Sequence, residues 1–316
     1  MSAAVPFEKP IVELEQKIEE LAGLADPALA EEIARLREQL LDLRRKIYSR
    51  LDPWQITQVA RHPRRPYTLD YIQGLMEGWQ ELHGDRRFAD DRSLLAGFAF
   101  FKGRPVAVVG HQKGRQTRQK IERNFGMPRP EGYRKALRVM QLAEKFGRPV
   151  IAFVDTPGAY PGLDAEERGQ AEAIATNLRE MARLRVPVVV TVTGEGGSGG
   201  ALAIAVGNRI NMLEFAIYSV ISPEGCASIL WRDAGKAEEM AGALKLTARD
   251  LKELDVIDEV IEEPPGGAHS DVQGAIARVG ETLERQLADL AALGPDELVD
   301  QRYDRFRRMG RFSEVL

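Results

Sequence analysis

The residues with the clearest capacity for chemistry lie in a glycine-rich segment, residues 194–204, with the sequence GEGGSGGALAI. Five of its first seven residues are glycine, so a ligand can approach the backbone closely because no Cβ stands in the way. The segment follows a β-branched run and opens a small-residue helix, where free backbone N–H groups favour negative charge. It predicts an anion site, against the alternative of a tight turn that only packs the helix on the sheet.

An enzyme motif falls on this segment. Gly196, Ser198 and Gly200 spell GxSxG, the nucleophile elbow of serine hydrolases, in the strand-to-helix context that the elbow needs. Such a hydrolase would complete its triad with His269 and either Asp255 or Asp258.

Nucleotide-binding patterns also fall on these glycines. Residues 194–199 spell GxGxxG, and Glu214 lies about where a dinucleotide fold places its ribose-binding acid. The P-loop pattern fails, because Ala201 and Leu202 stand where phosphate and magnesium binding require Lys and Ser or Thr. The motifs alone therefore leave the chemistry open.

A second loop, VDTPGAYPG at residues 154–162, follows another predicted strand, and its prolines and glycines restrict the backbone. Two such loops at one edge of a sheet can present two sets of backbone donors, as an oxyanion site needs. We interpret Asp155 as a turn former or helix cap rather than a general base.

The elements that position both loops are predicted by an alternation of strands and helices after residue 94. This alternation is typical of an α/β core whose strands are covered on both sides. The predicted elements are a strand hairpin at 94–101 and 105–109 turned at Lys102 and Gly103, strands at 150–154 and 188–192, and helices at 133–146, 166–184 and 199–206.

The two ends of the chain have different patterns. Apolar residues spaced three and four apart from Ile11 to Ile47, interrupted at residues 23–27, predict a helical hairpin or coiled-coil arm over residues 1–60. Prolines at 53, 63 and 66 are expected to interrupt any helix there and to mark the boundary of a main domain, residues 61–295. After residue 221 the pattern is mostly helical, and the basic tail, residues 296–316, is predicted to be a solvated helix face.

Composition excludes several classes of protein. The chain has 316 residues, 44% of them hydrophobic, enough for one large domain plus an appendage or for two modest domains. A net charge of -4 gives no global attraction to nucleic acid or anionic membranes, and the single cysteine, Cys226, excludes an intrachain disulfide and a cysteine-rich zinc site. Without a signal segment or a run of about 18 apolar residues, we expect a soluble cytoplasmic protein.

Longer blocks resemble the alpha subunits of bacterial acetyl-CoA carboxylase carboxyltransferases over nearly the whole chain. Besides the two loops, they are GHQKGR at 110–115, RNFGMPRPEGYRKALRVMQLAEKFG at 123–147, EERGQAEAIATNLREM at 166–181, ISPEGCASILW at 221–231 and GGAH at 266–269. The resemblance implies a crotonase-like fold of stacked ββα units. It also implies transfer of a carboxyl group from carboxybiotin to acetyl-CoA, giving malonyl-CoA for fatty acid biosynthesis.

The same resemblance implies partners and cofactors. Carboxybiotin would arrive on a biotin carboxyl carrier protein, after loading by a biotin carboxylase that uses ATP. A beta subunit with a structural zinc ribbon would supply most of the acetyl-CoA pocket in an α2β2 heterotetramer. This chain would itself bind no metal and cross no membrane.

Carried onto this sequence, the resemblance assigns the biotin-side oxyanion hole to the backbone N–H groups of Gly199 and Gly200. Other expected substrate contacts are Gly196, Gly197, Gly158 and Ala159. A serine hydrolase using Ser198 and a non-catalytic scaffold are the alternatives.

A basic segment, residues 113–135, adds one further candidate contact with substrate. It carries eight Lys or Arg against two Glu. Such a segment is either a solvated face or a site that attracts CoA phosphates or an acidic carrier protein. Lys113 and Arg115 are its best candidates.

Overall fold

One central sheet organises the chain, and the computed structural model describes residues 5–24 and 26–310. Its strands are β1 (Met76–Glu81), β2 (Leu94–Phe101), β3 (Arg104–His111), β4 (Val150–Thr156), β5 (Val188–Gly197), β6 (Arg209–Leu213), β7 (Ile217–Ser219) and β8 (Glu259–Ile261). Their order is β1-β2-β3-β4-β5-β6-β8, and β7 pairs with the end of β5. β1, β2 and β3 pair antiparallel, whereas β3 to β8 run parallel.

The predicted strand hairpin is confirmed. Lys102 and Gly103 join β2 to β3 with φ angles of 48° and 74°. Two positive φ angles are what a type I′ turn requires, and the twist of that turn matches the twist of the paired strands. This hairpin forms one side of the sheet, and the parallel strands that carry the loops follow it.

Helices cover the parallel strands on both faces, which confirms the predicted α/β class: all seven residues of β4 are buried. The helices are α1 (Lys9–Gly23), α2 (Ala30–Tyr48), α3 (Pro53–Ala60), α4 (Thr68–Leu75), α5 (Thr117–Glu122), α6 (Pro130–Lys145), α7 (Leu163–Glu167), α8 (Gln170–Arg183), α9 (Ser198–Leu202), α10 (Pro223–Trp231), α11 (Ala237–Ala243), α12 (Ala248–Glu253), α13 (Val272–Leu290) and α14 (Pro295–Arg307). None of the helices within residues 5–24 and 26–310 is long and apolar enough to cross a membrane.

The predicted N-terminal helical hairpin is α1 and α2, whose apolar seams pack together through Ile11, Ile18, Leu36 and Leu40. A buried joint holds the hairpin to the rest of the chain. There Glu8 accepts hydrogen bonds from the Tyr48 hydroxyl and from His269 Nε2, the latter at 3.1 Å. Contacts between residues far apart in sequence therefore hold the N-terminal helical hairpin against the α/β core.

Some predicted helix boundaries are wrong. Pro53 does not interrupt a helix but begins α3, because a proline at the first helical position loses no hydrogen bond and Asp52 with Gln55 forms a capping box. The single helix expected over 166–184 is divided into α7 and α8 at Gly169, whose φ of 81° is left-handed.

The basic tail also departs from the prediction of a solvated face. Arg302 of α14 is completely buried, and its guanidinium donates to the carbonyl oxygens of Met181, Leu184 and Val186. Burial lowers the pKa of Arg302 to about 10. These buried carbonyl acceptors thus compensate the charge of Arg302 inside the protein. Residues 311–316 of the tail lie outside the described part of the chain. The division into domains at residues 60 and 295 stays a prediction.

Candidate active site

The glycine-rich segment forms the end of β5 and the start of α9. β5 continues to Gly197, five residues beyond its predicted end, because β7 pairs with residues 195–197. The helix is shorter than predicted, running from Ser198 only to Leu202. In the first turn of a helix the N–H groups have no carbonyl acceptor within the helix, and this applies to the amides of the half-buried Gly199 and the buried Gly200.

The two predicted loops lie in direct backbone contact. A Cβ on Gly197 would lie 2.1 Å from the carbonyl oxygen of Pro157, and a Cβ on Gly200 would lie 2.3 Å from the Ala159 nitrogen and 2.5 Å from the Gly158 carbonyl carbon. No side chain fits at either position without moving the neighbouring loop. The structure therefore brings four predicted site residues together: Gly158, Ala159, Gly197 and Gly200.

The remaining glycines of the segment have different surroundings. A Cβ on Gly199 would meet only the Ile174 side chain, at 3.7 Å, so this residue faces comparatively open space. Gly196 packs against the ring of Tyr218, which a Cβ would meet at 2.7 Å. Tyr218 is a contact that sequence reasoning missed, since it reaches the loop only through the pairing of β7 with β5.

Beneath the loop lies an outer charge cluster, which we define as Lys113, Asp155, Glu195, Arg61 and Glu224. The Lys113 ammonium donates to Asp155 Oδ1 at 2.7 Å and to Glu195 Oε2 at 2.8 Å. Asp155 also accepts from the Glu195 backbone N–H at 3.0 Å, which ties the two loops to each other. This long-range contact is neither a turn nor a helix cap, so the predicted turn-forming or capping role of Asp155 is wrong.

The outer charge cluster extends to the surface through Arg61. Its Nε donates to Glu195 at 2.6 Å, and its other nitrogens hold both oxygens of Glu224 on α10. Burial opposes ionisation of Glu195, yet Lys113 and Arg61 hold its pKa below the usual range. Burial likewise opposes the charge on Lys113, and Asp155 and Glu195 raise its pKa above the usual range.

A second arrangement, the inner ion pair of Arg65 and Glu263, supports β5 one residue before the loop. The two side chains are 1% and 0% exposed and are joined by two hydrogen bonds of 2.7 and 2.8 Å. Arg65 also donates to the carbonyl oxygen of Thr193, and Glu263 accepts from the Phe215 and Ala268 amides. Every charged atom of the pair thus has a partner.

The predicted cationic contacts lie apart from each other. Lys113 is behind the glycine loop with its ammonium engaged by two carboxylates. Arg115 is half exposed, pairs with Asp70 at 2.7 Å and stacks over the Tyr67 ring. That either residue binds substrate stays a prediction.

The hydrolase alternative lacks its triad. Ser198 is exposed with a φ of 50°, the strained geometry of a nucleophile elbow. However, His269 is buried against Glu8 and Tyr48, and Asp258 accepts from the Ile210 amide and pairs with Arg305. Within the described residues, these side chains therefore do not form a relay to Ser198.

The dinucleotide alternative also lacks its acid. Glu214 directly follows β6, and its carboxylate accepts a hydrogen bond from the Glu263 amide at 3.1 Å. That hydrogen bond gives Glu214 a structural role within the chain instead of a place beside a bound ribose.

One group of side chains within the described ranges has the composition of a metal site. Donor atoms of Glu8, His62 and His269 lie within 4.8 Å of one another. The two imidazole rings, however, stack face to face with centroids 3.9 Å apart, and Glu8 already accepts from His269 and Tyr48. We interpret the group as the joint that holds the N-terminal hairpin, and the absence of a metal in this chain stays a prediction.

Comparison with known proteins identifies the family. The profile described as acetyl co-enzyme A carboxylase carboxyltransferase-like matches residues 4–310. The chain is 59% identical over 310 residues to the acetyl-coenzyme A carboxylase carboxyl transferase subunit alpha of Geobacter metallireducens, covering 98% of each chain. Its identity to the subunit of the same description from Syntrophotalea carbinolica is 60% over 317 residues, covering 99% of this chain and 100% of that one.

Solved structures agree on the fold. Transcarboxylase 12S, bound to methylmalonyl-coenzyme A, matches 80% of this chain and 44% of its own at a TM-score of 0.60 and 20% identity. A Pseudomonas malonate decarboxylase hetero-tetramer in complex with coenzyme A matches 76% of this chain and 96% of its own at 0.58 and 21% identity. These structural neighbours confirm the predicted crotonase-like fold. Together with the near full-length relatives, they show that this chain belongs to the acetyl co-enzyme A carboxylase carboxyltransferase-like family.

Proposed function

We propose that the chain is the alpha subunit of a carboxyltransferase that moves a carboxyl group from carboxybiotin to acetyl-CoA and forms malonyl-CoA. The observation that carries this proposal is the backbone contact between the two glycine-rich loops. At Gly197 and Gly200 the space left by this contact would be filled by any Cβ. Beside it lie the amides of the first turn of α9, which have no acceptor inside the helix.

The residues of this chain fit the biotin side of that reaction. Carboxybiotin, presented by its carrier protein, supplies the carboxyl group, and its ureido oxygen gains negative charge as that group departs. The N–H groups of Gly199 and Gly200 would donate to this oxygen. Preorganised donors of this kind are worth roughly 3 to 4 kcal/mol each, because they need no reorganisation as charge develops.

The surroundings of the loop support a role for the backbone rather than for side chains. Ser198, the side chain at the turn, has no histidine or acid in a relay with it among the described residues. The outer charge cluster instead holds Asp155 and Glu195 in place, and with them both loops. In this arrangement the chain would orient biotin and stabilise its negative charge, and no side chain at the turn would be needed as a base if the freed biotin took the proton from acetyl-CoA.

An apolar surface beside the loop is the proposed contact for the beta subunit. Val220, Ile229, Leu230 and Trp231 are 41% to 76% exposed. Val220 directly follows β7, which pairs with β5 at the glycine loop, so this surface adjoins the site. Ile229, Leu230 and Trp231 are consecutive at the end of α10, and exposed apolar patches of this kind mark interaction surfaces.

The wider assembly belongs to the same proposal. A zinc-ribbon beta subunit would complete the acetyl-CoA half of the site in an α2β2 heterotetramer. The biotin carboxyl carrier protein and an ATP-dependent biotin carboxylase would serve it, within fatty acid biosynthesis in the cytoplasm.

The experiment that tests the proposal is reconstitution. Purified chain, beta subunit and the mixture are each assayed for malonyl-CoA formed from acetyl-CoA and carboxybiotin. We expect product only from the mixture, since each chain holds half of the site. Full activity of the isolated chain, or none in a mixture that forms a stable complex, would contradict the proposal.

A further inference from the structure

A large cavity lies remote from the glycine loops. It has a volume of ≈ 600 Å³ and lies where β3, β4 and β5 begin, under α13 and the start of α14. The glycine loops follow the opposite ends of β4 and β5. Because β5 has ten residues, its two ends are about 30 Å apart. The cavity therefore takes no part in the chemistry of the loops.

The floor of this cavity is apolar. Val106, Val186, Leu287, Leu290 and Leu298 line it and are each no more than 7% exposed. They come from the sheet and from both covering helices, so the floor is part of the packed core. A cavity of this size with an apolar floor and a few polar groups is typical of sites for small ligands.

The mouth of the cavity is cationic, although the chain as a whole has a net charge of -4. Its lining includes Lys102, Arg104, Arg148 and Arg185 against a single carboxylate, Glu284. Lys102 lies 3.8 Å from Glu284, and Arg185 pairs with Asp296 at 2.7 Å. Arg104 and Arg148 form no ion pair with any residue that the structure describes, which leaves two guanidinium groups at the mouth for a ligand.

We propose that this cavity binds an amphipathic anion: an unbranched apolar chain that lies on the floor and ends in a carboxylate or phosphate. The apolar chain would replace water along the partly exposed lining residues Pro187 and Leu293, above the buried floor. The head group would lie at the mouth between Arg104 and Arg148, whose forked guanidinium groups match the oxygens of carboxylate and phosphate. This site is independent of the proposed transferase function, since it shares no residue with the glycine loops.

Calorimetric titration of the full chain tests the proposal with three probes of equal chain length: decanoate, decyl phosphate and decyltrimethylammonium. We expect saturable binding of one molecule of either anion per chain, with the cation at least tenfold weaker because of the two guanidinium groups. The two anions distinguish a carboxylate site from a phosphate site. Equal binding of all three probes would overturn the proposal, because it would show detergent-like adsorption.

Two variants place the binding site. Ala288→Trp fills the cavity from its exposed rim and should abolish anion binding. The double variant R104E/R148E should weaken it at least tenfold, whereas Arg37→Glu, a charge reversal on the exposed face of α2, should leave it unchanged. If melting curves show that Ala288→Trp does not fold, the test rests on anion binding by R104E/R148E compared with Arg37→Glu. Unchanged binding in R104E/R148E would refute the site.

Discussion

The outer charge cluster and the inner ion pair support the same strand in different ways. The inner ion pair is sealed from solvent, and both of its partners are saturated with hydrogen bonds. The outer charge cluster has three carboxylates for two cations and reaches the surface, where Arg61 and Glu224 are 31% and 37% exposed. The comparison indicates that the inner ion pair holds the fold, whereas the outer charge cluster positions the loop that would act on substrate.

The largest effect is expected at the inner ion pair. Arg65→Met leaves the Glu263 carboxylate buried without its cation, and should lower the free energy of unfolding by about 3 to 5 kcal/mol. Urea denaturation measures this loss. The double variant R65M/E263M should recover much of it, because no buried charge is then left unpaired. If Arg65→Met lowered the free energy of unfolding by less than about 1 kcal/mol, the inner ion pair would not have the fold-stabilising role that separates it from the outer charge cluster.

The next effect is expected in turnover rather than in stability. Gly200→Ala keeps the amide but places a Cβ 2.3 Å from the Ala159 nitrogen, so the two loops must separate. Malonyl-CoA formation in the reconstituted complex should fall by about 100- to 1,000-fold, the usual loss when an oxyanion donor is misplaced.

Gly199→Ala is the matched control for that variant. It also keeps its amide, and its Cβ would meet only Ile174 at 3.7 Å. We expect a much smaller loss of turnover. Equal losses of turnover in the two glycine variants would mean that the contact between the loops does not set the geometry of the backbone donors.

Lys113→Met should change stability and turnover together, because it removes the cation between Asp155 and Glu195. Losing these charge-assisted hydrogen bonds should cost about 1.5 to 3 kcal/mol in unfolding free energy at neutral pH. Lys113→Arg, which retains the charge, should cost less. Denaturation and malonyl-CoA assays on the same samples test both effects.

The sign of the pH dependence follows from the pKa shifts. The lowered pKa of Glu195 contributes stability that is present at neutral pH and is lost as pH falls through the folded-state value. The raised pKa of Lys113 contributes stability below its unfolded value that is lost only as pH rises through the folded one. Without Lys113, the Glu195 carboxylate loses the main cause of its lowered pKa and takes up a proton at a higher pH than in the parent, so the cost of Lys113→Met should shrink as pH falls through that range. A cost that grows there would contradict this account.

The smallest effect is expected for Ser198→Ala. The side chain is exposed and no triad forms around it. Turnover of the complex should therefore remain within twofold of the parent, and the free energy of unfolding should remain within about 0.5 kcal/mol. Loss of activity in this variant, or labelling of Ser198 by a fluorophosphonate probe, would favour the hydrolase alternative.

Sequence reasoning located the loops because their signal is local. Glycines and prolines restrict or free the backbone in place, so residues 154–162 and 194–204 could be identified without any partner. The strand hairpin at Lys102 and Gly103 was predictable for the same reason. The broad α/β class followed from the alternation of apolar runs.

The supports of the site were not predictable, because their partners are distant in sequence. Arg61 and Glu195 are 134 residues apart, and Arg65 and Glu263 are 198 apart. A single arginine in a basic stretch carries no signal of which carboxylate it will meet. Arg302 shows the same difficulty, since its acceptors are backbone carbonyls supplied by a loop about 120 residues earlier.

The joint at Glu8 has a consequence for the order in which the chain folds during synthesis. Its partner His269 leaves the ribosome 261 residues later, and Phe215, which packs in the same hairpin cluster, is also made late. At roughly 5 to 20 residues per second, the hairpin waits more than ten seconds before its docking surface is complete. The N-terminal hairpin is therefore fixed late although it is synthesised before its partners, and in the meantime the pairing of α1 with α2 buries its apolar seam.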